Sequence, residues 1–172
     1  MTDEEIEAAV LAALDATGVA YEVLDCDPAL ADTAAFCAAY GVSPDESANT
    51  IVVASKAEPV RHAACVVLAT TRLDVNGTVR KRLGARKASF ADPSDTAART
   101  GMVLGGVTPF GLPPDYPVWV DAGVLVPDTV IVGGGSRSKK IRVSPRVFSR
   151  LPNTEIVADL AKPAQVSVSP PK

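Results

Sequence analysis

The chain has a single histidine, His62, among its 172 residues. That scarcity removes most of the material for histidine metal sites and for Ser-His-Asp hydrolysis. His62 opens a β-rich run and reads as a strand-edge residue rather than a general base. Cysteine is scarce and odd in number: Cys26, Cys37 and Cys65, with no CxxC and apolar neighbours throughout. This excludes a disulfide framework and a structural zinc site, and points to buried thiols in a reduced, cytoplasmic protein. No apolar run approaches the ~18 residues that a membrane helix needs. The acidic start MTDEEIEAA does not read as a secretory leader. A GxxxxGK[ST] loop is missing, and "VGGGSR" does not run into a helix-forming segment, so nucleotide-binding fingerprints are absent or weak. No metal and no cofactor are expected. A net charge of −3 argues against general nucleic-acid coating, though not against a local basic face.

What is present suits one domain, expected over residues 1–160, with a disordered tail over 161–172. Thr2 and Glu5 form a capping-box pattern, Ile6, Val10 and Leu14 follow at helical spacing, and Gly18 stops the helix. "AYEVLDC" reads as a strand, and Asp32 caps a short helix "TAAFCAAY" closed by Gly41. "NTIVVAS" and "HAACVVLAT" read as strands joined by a turn at Pro59. Asp74 opens a helix with Val75, Val79 and Leu83 on its inner side. "KASF" is a short strand and "DPSDTAART" a helix ended by Gly101. "YPVWVDAGV", "TVIVGG" and "KIRVS" read as strands, "RVFSRL" as a short helix, and "TEIVADL" as strand or helix. Strands outnumber helices, which predicts an α+β fold: a twisted mixed β-sheet or distorted barrel with flanking helices.

Two glycine-rich stretches stand out. "GMVLGGVTPFGLP", residues 101–113, holds four glycines and two prolines among apolar residues, unlike an ordinary surface loop. "GGGSRSKK" begins at Gly133. Glycine lets backbone N–H groups approach a ligand closely, and such groups can hold an oxyanion or a carbonyl oxygen. By themselves both stretches read first as tight turns joining strands, and the triple glycine directly before SRSKK tilts the second slightly toward anion contact. Basic residues also cluster. Arg72, Arg80, Lys81, Arg82, Arg86 and Lys87 form one block, and Arg137, Lys139, Lys140, Arg142, Arg146 and Arg150 a second, while acidic residues concentrate before position 47. Two such blocks on one face would meet phosphates; a solvated helix face explains the first block equally well.

The order of these motifs resembles the YbaK/prolyl-tRNA synthetase-associated domain family. The segments that carry it are "ADTAAFCAAYGVSPDESANTIVV", "CVVLATTRLDVNGTVRKRLGARKASFAD", "TGMVLGGVTPFGLPPDYPVWVDAGV" and "TVIVGGGSRSKKIRVSP", from about Tyr21 to Leu151. The resemblance implies an α+β fold and metal-independent hydrolysis of the ester of a mischarged aminoacyl-tRNA, such as tRNA-Pro carrying a small amino acid. A synthetase pocket rejects a smaller amino acid by only ~1–3 kcal/mol per missing methylene, so a second site must destroy the errors. The resemblance further implies that the Gly105 and Gly106 backbone holds the aminoacyl carbonyl. Thr108, Pro109 and Gly111 would shape one wall, with Gly133, Gly134, Gly135 and Ser136 opposite and Tyr21 and Thr50 completing the substrate site. Water, positioned partly by the terminal ribose, would attack. Arg80, Lys81, Arg82 and Arg137 are the expected tRNA phosphate contacts. The expected partners are the aminoacyl-tRNA acceptor end and an aminoacyl-tRNA synthetase, with no membrane, and a monomer is the default.

Two positions depart from the family pattern. Many relatives carry lysine directly before the threonine of the first central strand; here that residue is Asn49. After the triple glycine, Lys140 stands where relatives often have an acidic residue. A compensating exchange would place Asn49 and Lys140 across one pocket beside the 105–111 loop, making both, with Gly105 and Gly106, the catalytic candidates. Lys56 lies seven residues beyond Asn49, so on a strand it faces the opposite side. The alternatives are a changed substrate, a non-catalytic module binding the acceptor end or a small aminoacyl ligand, and a different hydrolase on the same scaffold.

Overall fold

The computed structural model describes residues 2–164. Helix α1 (Asp3–Thr17) begins with the capping box: Thr2 Oγ1 accepts from the Glu5 N–H, and the Glu5 carboxylate accepts from the Thr2 N–H. Ile6, Val10 and Leu14 are buried along its inner face, and Gly18 ends it at a φ of 72°.

The strands form two principal sheets. β1 (Tyr21–Asp25), β8 (Lys139–Val143) and β7 (Val130–Gly133) make a three-stranded antiparallel sheet in the order β1-β8-β7. β5 (Ala88–Phe90), β2 (Ala48–Ser55), β3 (His62–Leu68), β6 (Val118–Asp121) and β9 (Thr154–Val157) make a mixed sheet in that order. The hairpin β2–β3 is antiparallel, whereas β6 runs parallel to both β3 and β9. The two sheets meet through one isolated bridge, Ser47 to Ile131, and no closed barrel forms.

Burial on both faces explains the near-continuous apolar run of β3. Ala64 and Val66 join the larger core, with Ile6, Val10, Leu14, Ile141 and Phe148. Ala63, Cys65 and Val67 join a second core with Leu73, Val79, Leu83 and Trp119. A third, smaller cluster lies on the outer face of the three-stranded sheet, where α2 (Thr33–Tyr40) sets Phe36 against Cys26, Ala31 and Ile131.

Three segments differ from the sequence expectation. The helix expected after Asp74 is a π-type turn, Val75–Val79, followed by the single-turn α3 (Arg80–Arg82); Asp74 closes it by accepting from the Thr78 N–H at 3.0 Å. Val79 and Leu83 nonetheless point into the second core. The expected tail begins instead with β10 (Ala161–Pro163), paired antiparallel with β4 (Thr71–Leu73). Leu160 is buried beside it and anchors the segment; residues 165–172 lie outside the described residues. Asp32 occupies the N-cap position of α2 but makes no cap hydrogen bond, because its carboxylate accepts from Arg137 instead. The helix α4 (Pro93–Thr100) forms as expected and ends at Gly101.

Candidate functional site

The two glycine stretches pack on each other, backbone against backbone. The Gly135 N–H donates to the Gly106 carbonyl at 2.8 Å. A Cβ at Gly106 would lie 2.7 Å from the Ser136 carbonyl carbon, and one at Gly133 would strike the Val107 carbonyl oxygen. No side chain fits between these loops, and this close approach is why the apolar stretch is rich in glycine.

Beside that seam lies a cavity of about 250 Å³. β2 contributes Asn49, Thr50 and Ile51; the turn into α2 contributes Asp32, Thr33 and Phe36; the glycine loops contribute Gly105 and Gly133. Lys140 on β8 enters from the outer face of its sheet. Strand alternation explains this: Ile141 and Val143 face the larger core, so Lys140 projects toward α2. Asn49 and Lys140 therefore line one cavity, beside the loop containing Gly105.

Lys140 is 7% exposed, and no carboxylate pairs with it among the described residues. Its ammonium donates to the Ala31 carbonyl at 2.6 Å and to the Gly105 carbonyl at 2.9 Å, and sits 5.5 Å from the Phe36 ring centroid. An ammonium has three donors, so one remains unassigned within the protein. Burial holds the Lys140 pKa below the usual lysine range, and the Arg137 charge acts in the same direction against the thiols of Cys26 and Cys37 and the Asp32 carboxylate. A buried cation held by carbonyl dipoles alone is costly, and such groups concentrate at functional sites.

Two other polar groups complete the cavity. The Thr33 hydroxyl donates to the Asn49 side-chain oxygen. The Thr50 hydroxyl, also on the wall, is buried without a partner among the described residues. Such an orphan is expected where a ligand supplies the missing hydrogen bond.

The remaining expected site residues lie elsewhere. The Gly106 N–H is committed to the Val103 carbonyl at 2.9 Å, whereas no described residue accepts from the Gly105 N–H. Thr108 is buried with an unpartnered hydroxyl but does not line the cavity. Pro109 and Gly111 line a separate cavity near the end of α1, with Leu112 and Tyr116. Gly134 closes the β7–β8 turn, its N–H donating to the Lys139 carbonyl at 3.1 Å. Gly135 lies beneath Ile6 and Val10, and Ser136 donates to Glu7 at 2.5 Å. The Tyr21 hydroxyl donates to Asp15 at 2.7 Å, away from the cavity. Lys56 is exposed beyond the far end of β2.

The expected phosphate contacts separate in the same way. Arg80 donates to the carbonyls of Asn76 and Ala85. Arg82 pairs with Glu155 and stacks over Trp119 at 4.9 Å. Arg137 donates to the carbonyls of Pro28 at 3.0 Å and Leu104 at 2.7 Å, and to Asp32 at 3.2 Å. Lys81 alone of the four is exposed without a charged partner among the described residues. Half of the second basic block is neutralised: Arg137 pairs with Asp32, and antiparallel pairing sets Asp25 beside Lys139 and Glu22 beside Arg142.

His62 and the cysteines lie outside the cavity. The His62 Nε2 is 3.1 Å from Asp95, which also accepts from Arg99. Burial pushes the Cys65 thiol up to about 12, which leaves it an inert core residue. No cluster of metal-ligating side chains occurs among the described residues, and none of their helices is long and apolar enough to cross a membrane.

What sequence reasoning missed is the α2 side of the cavity: Ala31, Asp32, Thr33 and Phe36. The family resemblance marks Lys140 on the strand "KKIRV". Only tertiary contact reveals which segment covers it.

Comparison with known proteins bears on this arrangement. The model of the aminoacyl-tRNA editing domain matches residues 27–151. Among curated proteins, the uncharacterized protein YwhH of Bacillus subtilis is 33% identical over 76 residues, which cover 44% of this chain and 48% of that protein. The "Putative Cys-tRNA(Pro)/Cys-tRNA(Cys) deacylase EbsC" of Enterococcus faecalis is 26% identical over 103 residues, 60% of each chain. The chain thus spans about half to three-fifths of the length of these relatives. A crystal structure of a hypothetical protein superposes with a TM-score of 0.76 at 26% identity, covering 90% of this chain and 99% of its own. A crystal structure described as "a putative trans-editing enzyme for prolyl tRNA synthetase" has the same fold, with a TM-score of 0.75 at 22% identity over 88% of this chain and 94% of its own.

Proposed function

Because this chain belongs to the aminoacyl-tRNA editing domain family, we propose that it is an aminoacyl-tRNA deacylase acting in trans. Its substrate on this reading is the ester of a tRNA charged with a small, wrong amino acid, such as tRNA-Pro. The observation that carries the reading is Lys140: a buried ammonium without a carboxylate partner, fixed at the wall of a cavity that also holds Asn49 and Thr50.

The chemistry is ester hydrolysis. A water oxygen attacks the aminoacyl carbonyl carbon, negative charge develops on the carbonyl oxygen, and the bond to the ribose oxygen breaks. The ribose oxygen takes up a proton, and free amino acid and tRNA leave. The free N–H of Gly105 and the third N–H of Lys140 are the donors available to that developing charge. Preorganised donors of this kind lower the barrier by several kcal/mol without a histidine base; one oxyanion donor is worth about 3 kcal/mol. Asn49, held by Thr33, and the Thr50 hydroxyl orient the aminoacyl group. Ala31, Phe36 and Ile131 limit its side chain to a small apolar one.

Single-turnover deacylation of Ala-, Cys- and Ser-tRNA-Pro, with Lys140→Ala alongside, tests this. Hydrolysis that the variant loses is the expected result. Binding of the charged tRNA without hydrolysis would instead assign the protein to the non-catalytic module that the Asn49 substitution suggests.

A further inference from the structure

A second surface carries cations that the cavity chemistry does not use. β10 and β4 pair so that Lys162 stands directly opposite Arg72. Like charges facing each other across a strand pair destabilise it. Together with Asn76, Ser89 and Phe90 they line a groove of about 470 Å³. Phe90 is 61% exposed on β5, the edge strand of the five-stranded sheet. Asp74 is the acidic residue on the groove wall, and its carboxylate is engaged: it accepts from the Thr78 N–H at 3.0 Å and the Thr78 hydroxyl at 3.1 Å, and lies 3.7 Å from Lys162. Lys56, Lys81, Arg86 and Lys87 are exposed in the neighbouring segments and make no ion pair among the described residues. Lys56 and Lys87 are tied together, the Lys56 N–H donating to the Lys87 carbonyl at 3.1 Å.

We propose that this groove docks single-stranded RNA, with Phe90 as a base-stacking platform and Arg72 and Lys162 as phosphate contacts. An exposed aromatic ring beside surface cations, of which Arg72 makes no ion pair among the described residues, is the chemistry that binds an unpaired strand without reading its sequence. The facing lysine and arginine, offset in the free protein by Asp74 on the lysine side alone, are both satisfied by a polyanion. The groove also lies in register with the cavity. Phe90 pairs with Val53, and Val53, Ile51 and Asn49 alternate along one face of β2. The four residue steps from Asn49 to Val53 span about 13 Å at the rise of a strand. An acceptor end whose terminal ester lies in the cavity would reach Phe90 with the nucleotides just before it. Naming that RNA as the tRNA acceptor strand rests on the deacylase reading; the strand-docking groove does not.

The test is fluorescence anisotropy with a labelled single-stranded RNA ending in CCA, titrated with the wild type, Phe90→Ala and the double variant Arg72→Ala/Lys162→Ala. Each variant is expected to bind roughly tenfold more weakly or worse. The double variant should also lower the slope of log affinity against log salt by about 1.4, from ~0.7 per phosphate contact. Its thermal midpoint should change little, since the relieved like-charge pair and the lost exposed Lys162–Asp74 contact offset each other; a structural role for these side chains predicts a marked fall. Turnover of aminoacyl-tRNA is followed in parallel. RNA binding lost in the variants, without turnover by the wild type, sinks the deacylase reading and keeps the groove. Unchanged RNA affinity in both variants overturns the groove and leaves the deacylase standing. A wild type that binds anionic vesicles but no RNA overturns the groove as well.

Discussion

Arg137 and Lys140, three residues apart across one strand turn, tie together the same two segments. Arg137 reaches Pro28 and Asp32 on one side and Leu104 on the other; Lys140 reaches Ala31 and Gly105. The turn before α2 and the first glycine loop are therefore held at a fixed spacing by two cations, and the cavity lies between them. The two are not equivalent. Lys140 is buried and borders the cavity directly, whereas Arg137 is partly exposed and fastens the rim.

Replacing Lys140 by alanine should reduce single-turnover deacylation by about 100-fold, the usual effect of losing one preorganised donor. Lys140→Arg should not restore it, because the planar guanidinium cannot occupy a site shaped for a compact ammonium. Rapid-quench assays on a mischarged tRNA measure both.

Activity should fall on the alkaline side, at a pH below the ordinary lysine range near ~10.4. The sign follows from burial, which lowers the Lys140 pKa, so the ammonium is lost early as pH rises. The same shift acts oppositely on stability. Between the folded and unfolded pKa values the unfolded chain binds more protons, so the Lys140 contribution to stability increases with pH across that window. A pH–rate profile of Lys140→Ala on its residual activity should lack the alkaline limb.

Arg137→Ala should lower kcat about tenfold while leaving the salt dependence of tRNA binding unchanged. Its three acceptors are protein oxygens, so its loss loosens the rim rather than removing a phosphate contact. A reduced salt slope in this variant would return Arg137 to the RNA surface.

Gly106→Ala should destabilise the fold by about 2 kcal/mol or more, because its methyl group meets the main chain of Gly135 and Ser136, which cannot rotate away. Gly18→Ala, where the added methyl meets nothing within 4 Å, should cost only about 1 kcal/mol, from its left-handed conformation. Urea denaturation of the two variants separates close packing from backbone preference.

Tyr116→Phe should be neutral or stabilising by up to about 1 kcal/mol. The Tyr116 hydroxyl is buried without a partner among the described residues, and burial raises its pKa to about 12. A loss of stability would reveal a bound water.

Local signals made much of the fold legible. The Thr2–Glu5 capping box, the left-handed glycines 18, 41 and 101, and the apolar runs of β2 and β3 each act within a few residues, and the structure follows them. The π-type turn at Val75–Val79 was hidden because its inward spacing imitates an α-helix over two turns. β4 and β10 were hidden because three-residue strands carry almost no periodicity and stand only by pairing with each other. At the candidate site, it is the family resemblance that singles out Asn49, Lys140 and Gly105. The Gly106, Ser136 and Tyr21 assignments failed to reach the cavity because glycine-rich sequence does not say whether a loop faces a ligand or another loop. Here Gly106 and Gly135 face each other. Phe36 and Thr33 gave no signal, because α2 reaches the cavity only through the packing of one sheet's outer face.

The seam between the glycine loops has a consequence for how this protein can change over evolutionary time. Part of the cavity is lined by main chain, at Gly105 and Gly133, and peptide units are the same whatever the codon. Mutation has no side chain there to exchange, and any addition at Gly133 or Gly106 collides with backbone. New ligand preferences therefore arise from the side-chain walls, Phe36, Asn49, Ile51 and Leu104 among them. The lineage is free to redraw the side-chain walls of the cavity, while its main-chain portion stays fixed.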